Sequence, residues 1–104
     1  MNLDRLRGLI GLSRRAGQLV LGTDTVLRTL KGKECSLVLL DEAAAPNTKK
    51  RLREAAARSG VPVFRLPEGL LDEAAGQSGK IMAAVRAGSL ADQIGSLFET
   101  AEKA

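Results

Sequence analysis

The sequence predicts an α/β protein, with helices on both faces of a central, largely parallel or mixed sheet of four strands. Three observations support this. Helical and strand patterns alternate as αβαβαβαβα, with connections of about 2–6 residues, the lengths usual for such units. The stretch Ser36–Leu40 (SLVLL) is continuously apolar, as expected of a strand covered on both faces. The chain has 104 residues and a hydrophobic fraction of 44%, enough for a single domain over residues 1–104 with one core and little spare stability.

Each element follows from local pattern. Leu3, Leu6, Leu9, Ile10 and Ser13 fall at helical spacing, and Gly17 is a suitable stop after Arg14 and Arg15. Gly8 and Gly11 weaken that helix, which predicts close packing against a neighbouring element. Leu19–Leu21 is a short strand expected at or near a sheet edge. Gly22 turns the chain, and Thr23 is expected to cap a second helix that buries Val26, Leu27 and Leu30 and ends at Gly32. Asp41 and Glu42 mark the carboxyl end of the Ser36–Leu40 strand. A third helix runs from Pro46 or Asn47 to Ser59, stopped by Gly60. Pro62 restricts the next strand to Val63–Leu66. Pro67-Glu68 opens a short helix to about Ala75, and Lys80–Val85 is the last strand. Gly88-Ser89 starts a final helix that extends to about Glu102.

Composition removes several function classes. The absence of histidine and the single cysteine, Cys35, exclude Ser-His-Asp and Cys-His catalysis, a Cys/His zinc cluster and an internal disulfide. No P-loop or G-x-G-x-x-G turn is present, so neither a nucleotide cofactor nor a metal is expected. Asp41 and Glu42 are the nearest approach to an acidic metal site, but they lack a third ligand; loop solvation is the expectation there. No apolar run reaches the length of a membrane span, and the N-terminus is too interrupted by charge to be a signal peptide. A cytoplasmic location is expected.

Charge is unevenly distributed. The formal net charge is +4, yet residues 1–58 hold 12 Lys/Arg against 6 Asp/Glu. Such asymmetry points to a polyanionic partner. The stretch from Arg14 to Arg28, RRAGQLVLGTDTVLR, places arginines beside a glycine turn and a helix N-terminus, where free backbone amides favour phosphate. Lys49-Lys50-Arg51-x-Arg53 sets cations in the first turns of the third helix, against its dipole. With Phe64 and Phe98 the only aromatics, base stacking on an aromatic platform is not expected.

The strings RRAGQLVLGTDTVLRTLKGK, LVLLDEAAAPNTKKRL, VPVFRLP, LLDEAAGQ and IMAAV resemble the kink-turn-binding ribosomal protein superfamily (the L-seven-Ae, L-thirty-e, S-twelve-e and Gadd group). The likeness is closest to its small bacterial YlxQ-type members and spans roughly residues 3–98. It implies a three-layer α/β/α sandwich around a four-stranded mixed sheet, no enzyme activity and binding to structured RNA. The family signature G-[TS]-N-E-x-x-K falls on Gly22, Thr23, Asp24, Thr25 and Arg28, so Asp24 and Thr25 replace its Asn-Glu pair. The family's second RNA-facing wall falls on Gly76 to Met82, with Gly79 and Lys80 where an apolar side chain usually meets an extruded base. Asp72 stands where glycine is usual.

The resulting expectation is a non-enzymatic RNA-binding monomer on ribosomal or other structured RNA, with the ribosome itself among its expected partners. Gly22, Thr23, Asp24 and Thr25 supply the helix corner; Arg28, Lys31, Lys33, Arg14 and Arg15 contact phosphates, and Lys80 contributes from the opposite loop. Lys49, Lys50 and Arg53 are secondary candidates. The alternative is a protein-interaction module on the same fold.

Overall fold

In the computed structural model, residues 1–98 are described. Five helices and four strands alternate: α1 (Leu3–Arg15), β1 (Leu19–Leu21), α2 (Thr23–Lys31), β2 (Leu37–Asp41), α3 (Pro46–Ser59), β3 (Val63–Leu66), α4 (Leu70–Ala75), β4 (Met82–Val85) and α5 (Ser89–Leu97). The sheet order is β1-β4-β2-β3. β4 is antiparallel to both neighbours, Leu19 opposite Val85 and Leu40 opposite Met82, whereas β2 and β3 are parallel. The sheet is therefore mixed, with β1 at one edge.

Alternation along the strands divides the core in two. Leu37 and Leu39, with Ala83 and Val85, face α1, α4 and α5 through Leu6, Ile10, Leu71 and Ile94. Val38 and Leu40, with Met82 and Ala84, face α2 and α3 through Val26, Leu30, Leu52 and Ala56. All five β2 residues are buried, Leu37 to Leu40 as their unbroken apolar run requires and Asp41 with them. The two phenylalanines stack at 4.6 Å, Phe64 from β3 against Phe98 after α5.

Helix limits follow local chemistry. Asn2 caps α1, its Oδ1 accepting from the Arg5 amide at 3.0 Å. Ser13 is fully buried on the apolar stripe, and its hydroxyl donates to the Leu9 carbonyl at 2.7 Å, so burial leaves no polar atom unpaired. A Cβ at Gly11 would lie 3.4 Å from the Ala74 carbonyl oxygen of α4, but at Gly8 it would meet open space. Close packing thus explains Gly11 alone. Arg7 ties α1 to α4 through Glu73 at 2.9 Å.

Several sequence boundaries move. Thr23 is the first helical residue of α2 rather than its cap; Gly22 is the cap, and no side chain bonds the free amides there. Ala45 precedes α3, so Asn47 lies inside that helix. α4 starts at Leu70 because Gly69, at φ +80°, turns the chain immediately before it. β4 starts at Met82 rather than Lys80, since the amides of Gly79 and Lys80 bond the Asp72 carboxylate instead of a strand. α5 reaches Leu97, and the expected continuation to position 102 lies outside the described residues.

Candidate nucleic-acid interface

The topology gathers the expected site at one end of the sheet. β1, β2 and β3 run in one direction and β4 in the other. The carboxyl ends of the first three strands therefore share an end with the start of β4, and α2, α3 and α4 all begin there. The loop 76–81 returns to this end as well. Two backbone bonds join these parts: the Gly22 amide donates to the Met82 carbonyl at 3.3 Å, and the Asp41 amide donates to the Ile81 carbonyl at 2.8 Å.

One wall is the start of α2. Gly22 sits at φ +95°, a conformation a side chain resists, and so brings backbone rather than a Cβ to the surface. Val26 makes the first helical bond, back to the Gly22 carbonyl at 2.9 Å. The preceding amides have no partner within the helix and point outward from its positive end. Thr23 is half-buried, and Asp24, Thr25 and Arg28 are exposed. Arg28 follows Thr23 by five residues, about 7 Å along the axis. Asp24 places a carboxylate beside the free amides, which suits the dipole but opposes a phosphate at that point.

The other wall is the loop 76–81, and Asp72 builds it. Asp72 Oδ2 accepts from the Gly79 amide at 3.0 Å and Oδ1 from the Lys80 amide at 2.7 Å. The Asp72 carbonyl accepts from Gly76 and Gln77 at 2.9 and 3.2 Å. One residue thus anchors both ends of the loop, and Lys80 stays half-buried beside it. Arg14 lies at the loop's base, donating through Nη1 to the Ala75 carbonyl at the end of α4. Arg15 is exposed, and its guanidinium turns back toward Gly11.

The expected residues therefore separate into groups. Gly22, Thr23, Asp24, Thr25 and Lys80 share the sheet end, with Arg28 one turn farther out. Arg14 is engaged by α4, and Arg15 borders it. Lys31 and Lys33 follow α2 to its far end, roughly 12 Å from Thr23, and line a groove with Arg51 and Arg58 of α3. Of the secondary candidates, Lys49 is half-buried and Lys50 and Arg53 are exposed.

Asp41 and Glu42 do not form the solvated pair expected from their position. Glu42 is exposed, but Asp41 is 5% exposed. Its Oδ1 accepts from the Ala43 amide at 2.7 Å and its Oδ2 from the Gly69 amide at 2.9 Å. The carboxylate holds two loops of the sheet end together. Among the described residues no group of three or more His, Cys, Asp or Glu side chains converges as a metal site.

Cys35 is 8% exposed. Burial pushes its thiol above the ordinary 9.0; Arg86 pulls it down and Glu34 adds a smaller push upward. Because the thiolate is the reactive form, alkylation by iodoacetamide at neutral pH should run at least about tenfold slower in the native protein than in urea. Mass spectrometry of quenched time points measures this.

A mixed sheet between two helical layers, with a helix start and an anchored loop opening at one end, defines a ribosomal-protein-like α/β/α domain. Residues 4–93 match the ribosomal protein L7Ae/L30e/S12e/Gadd45 family, and the chain belongs to that family. As a member of that family it is a non-enzymatic protein. It is 29% identical over 92 residues to the RNA-binding protein YlxQ of Bacillus subtilis (strain 168), covering 88% of this chain and 92% of that one. It is 31% identical over 65 residues to the RNA-binding protein YlxQ of Enterococcus faecium, a match spanning 62% of this chain and 63% of the relative.

Solved structures agree on the fold. A protein of unknown function from Bacillus halodurans superposes with a TM-score of 0.85 at 25% identity, covering 90% of this chain and 96% of that one. A 15.5kD RNA binding protein of Giardia lamblia gives 0.76 at 18% identity, covering 93% and 84%. No described helix is long and apolar enough to cross a membrane.

Proposed function

We propose that this protein binds structured RNA, ribosomal RNA included, through the sheet end formed by the start of α2 and the loop 76–81. The observation that carries this reading is the juxtaposition of the outward-facing α2 amides with that loop, joined by the Gly22–Met82 bond, in a chain whose relatives are named as RNA-binding. Thr23, Thr25 and the backbone at Gly22 supply hydrogen bonds. Arg28, Arg15 and Lys80 supply positive charge, with Arg14 contributing from its place on α4. The protein acts as a monomer in the cytoplasm and needs no cofactor.

Arg28→Ala is expected to weaken RNA binding and to lower the slope of log K against log salt by about one unit, the change for one lost phosphate contact. Filter binding at several salt concentrations checks this; an unchanged affinity throughout removes Arg28 from the interface. Asp24 and Thr25 stand where kink-turn readers carry Asn-Glu. Preference for a standard kink-turn over one lacking its G·A pairs is therefore expected to be small, and a competition titration measures it. If crosslinked cell extracts yield a protein partner and no RNA, the interaction-module reading replaces this one.

A further inference from the structure

The cations separated from the corner lie together on the α2–α3 face. An open groove of about 540 Å3 runs between these helices. Lys31 and Lys33 stand on its α2 side and Arg51 and Arg58 on its α3 side. Glu54 is the one carboxylate of its lining, and Leu27 and Ala55 give it a small apolar component. Ser59 Oγ donates to the Leu30 carbonyl at 2.7 Å, pinning the carboxyl-terminal ends of the two helices together. The groove walls thus hold a fixed separation.

Charge in this groove is not balanced. Among the described residues none of the four cations takes part in an ion pair, whereas Arg7 on α1 pairs with both Asp4 and Glu73. Two helix carboxyl ends contribute roughly half a negative charge each. With Glu54, that leaves a surplus of about two positive charges. Lys33 sharpens the point: at φ +56° it is the one non-glycine with positive φ among the described residues. The turn itself favours glycine or asparagine. Lysine there sets an ammonium group at the groove instead.

We infer that the α2–α3 groove is a second binding site for RNA backbone phosphates, occupied by the continuation of an RNA whose other part lies at the sheet end. This rests on the RNA-binding reading above. Arg28 and Lys31, three apart on one side of α2, connect the two sites. Arg51 and Arg58 are seven residues apart, about 10 Å along α3, a span long enough for the two guanidinium groups to meet different phosphates of one strand. No aromatic side chain lines the groove, so it holds backbone without reading bases.

The test is a titration of the full-length, nitrogen-15-labelled protein with a hairpin RNA carrying a kink-turn and an extended stem, and with that stem alone. Amide shifts at Lys31, Lys33, Arg51 and Arg58 together with shifts at Thr23 to Thr25 on adding the hairpin support the inference. Shifts confined to Thr23–Arg28 and the loop 76–81 overturn the groove and leave the RNA reading standing. Shifts confined to the groove overturn the inferred continuation, because the RNA then has no part at the sheet end. No shift with either RNA overturns both. In parallel, K31Q/R51Q/R58Q is expected to bind the hairpin about tenfold more weakly, with a salt slope lower by two to three units. The three residues are exposed, so its thermal unfolding should stay close to that of the parent. Unchanged affinity and slope, or stronger protection of the groove by poly-glutamate than by RNA, overturns the inference.

Discussion

Asp41→Ala is expected to destabilise the protein by about 2–4 kcal/mol, the cost of orphaning two amides that bond a charged acceptor. The side chain is almost wholly buried and its two oxygens bond different loops, Ala43 ahead of α3 and Gly69 ahead of α4. In a chain of this size such a loss lowers the melting temperature by roughly 10–20 °C. Asp41→Asn keeps the shape and one acceptor but turns an amino group toward the second amide, so it should recover only a minor share. Glu42→Ala is the control, because Glu42 is exposed and should change stability by less than about 0.5 kcal/mol. Thermal unfolding of the three variants decides it. Equal effects at 41 and 42 would mean that Asp41 is solvated after all.

The contrast between these adjacent carboxylates shows what a sequence pattern conveys. Burial of Leu37 to Leu40 was legible because a continuous apolar run of strand length, closed by Asp41 and Glu42, reads as a strand covered on both faces. The stop at Gly60 was legible, and the start was narrowed to Pro46 or Asn47, because both depend on local backbone geometry. Asp41 was not, because its partner Gly69 is 28 residues away and a carboxylate-to-amide bond leaves no periodic trace. The fold's two cores depend on strand alternation and helix spacing, both repeated many times. The loops of the site depend on single bonds, each made once.

The same distinction explains the candidate site. The glycine turn and helix start at Gly22–Thr23 were visible, but the partition of the basic residues was not. Arg14, Arg15, Arg28, Lys31 and Lys33 are close in sequence, yet α1 ends against α4 and α2 carries Lys31 and Lys33 to the α3 groove. Only the path of the chain separates them. Lys80 was visible as a cation, but its placement depends on Asp72, whose departure from the glycine usual at that position gave no hint of a role.

Asp72 therefore provides the sharpest test of the proposed RNA interface. Asp72→Ala removes the acceptors for Gly79 and Lys80 and leaves their amides to water. The Gly79 bond is exposed and the Lys80 bond part-buried, so the stability cost should be modest, about 1 kcal/mol. The effect on RNA affinity should be larger, about tenfold, because an unanchored loop must be ordered again on binding. A competing effect has the opposite sign: removing a carboxylate near phosphates favours binding. Asp72→Asn separates the two. It removes the charge but retains one acceptor, so it should bind more tightly than Asp72→Ala if loop order dominates. The salt slope distinguishes this role from that of Arg28, since Asp72→Ala removes no phosphate contact and should leave the slope unchanged. Hydrogen exchange at the Gly79 and Lys80 amides should accelerate in step with the affinity loss. Tighter binding by both variants would show that Asp72 acts chiefly as a repelling charge, and that the loop holds its shape through Gly76 and Gln77 alone.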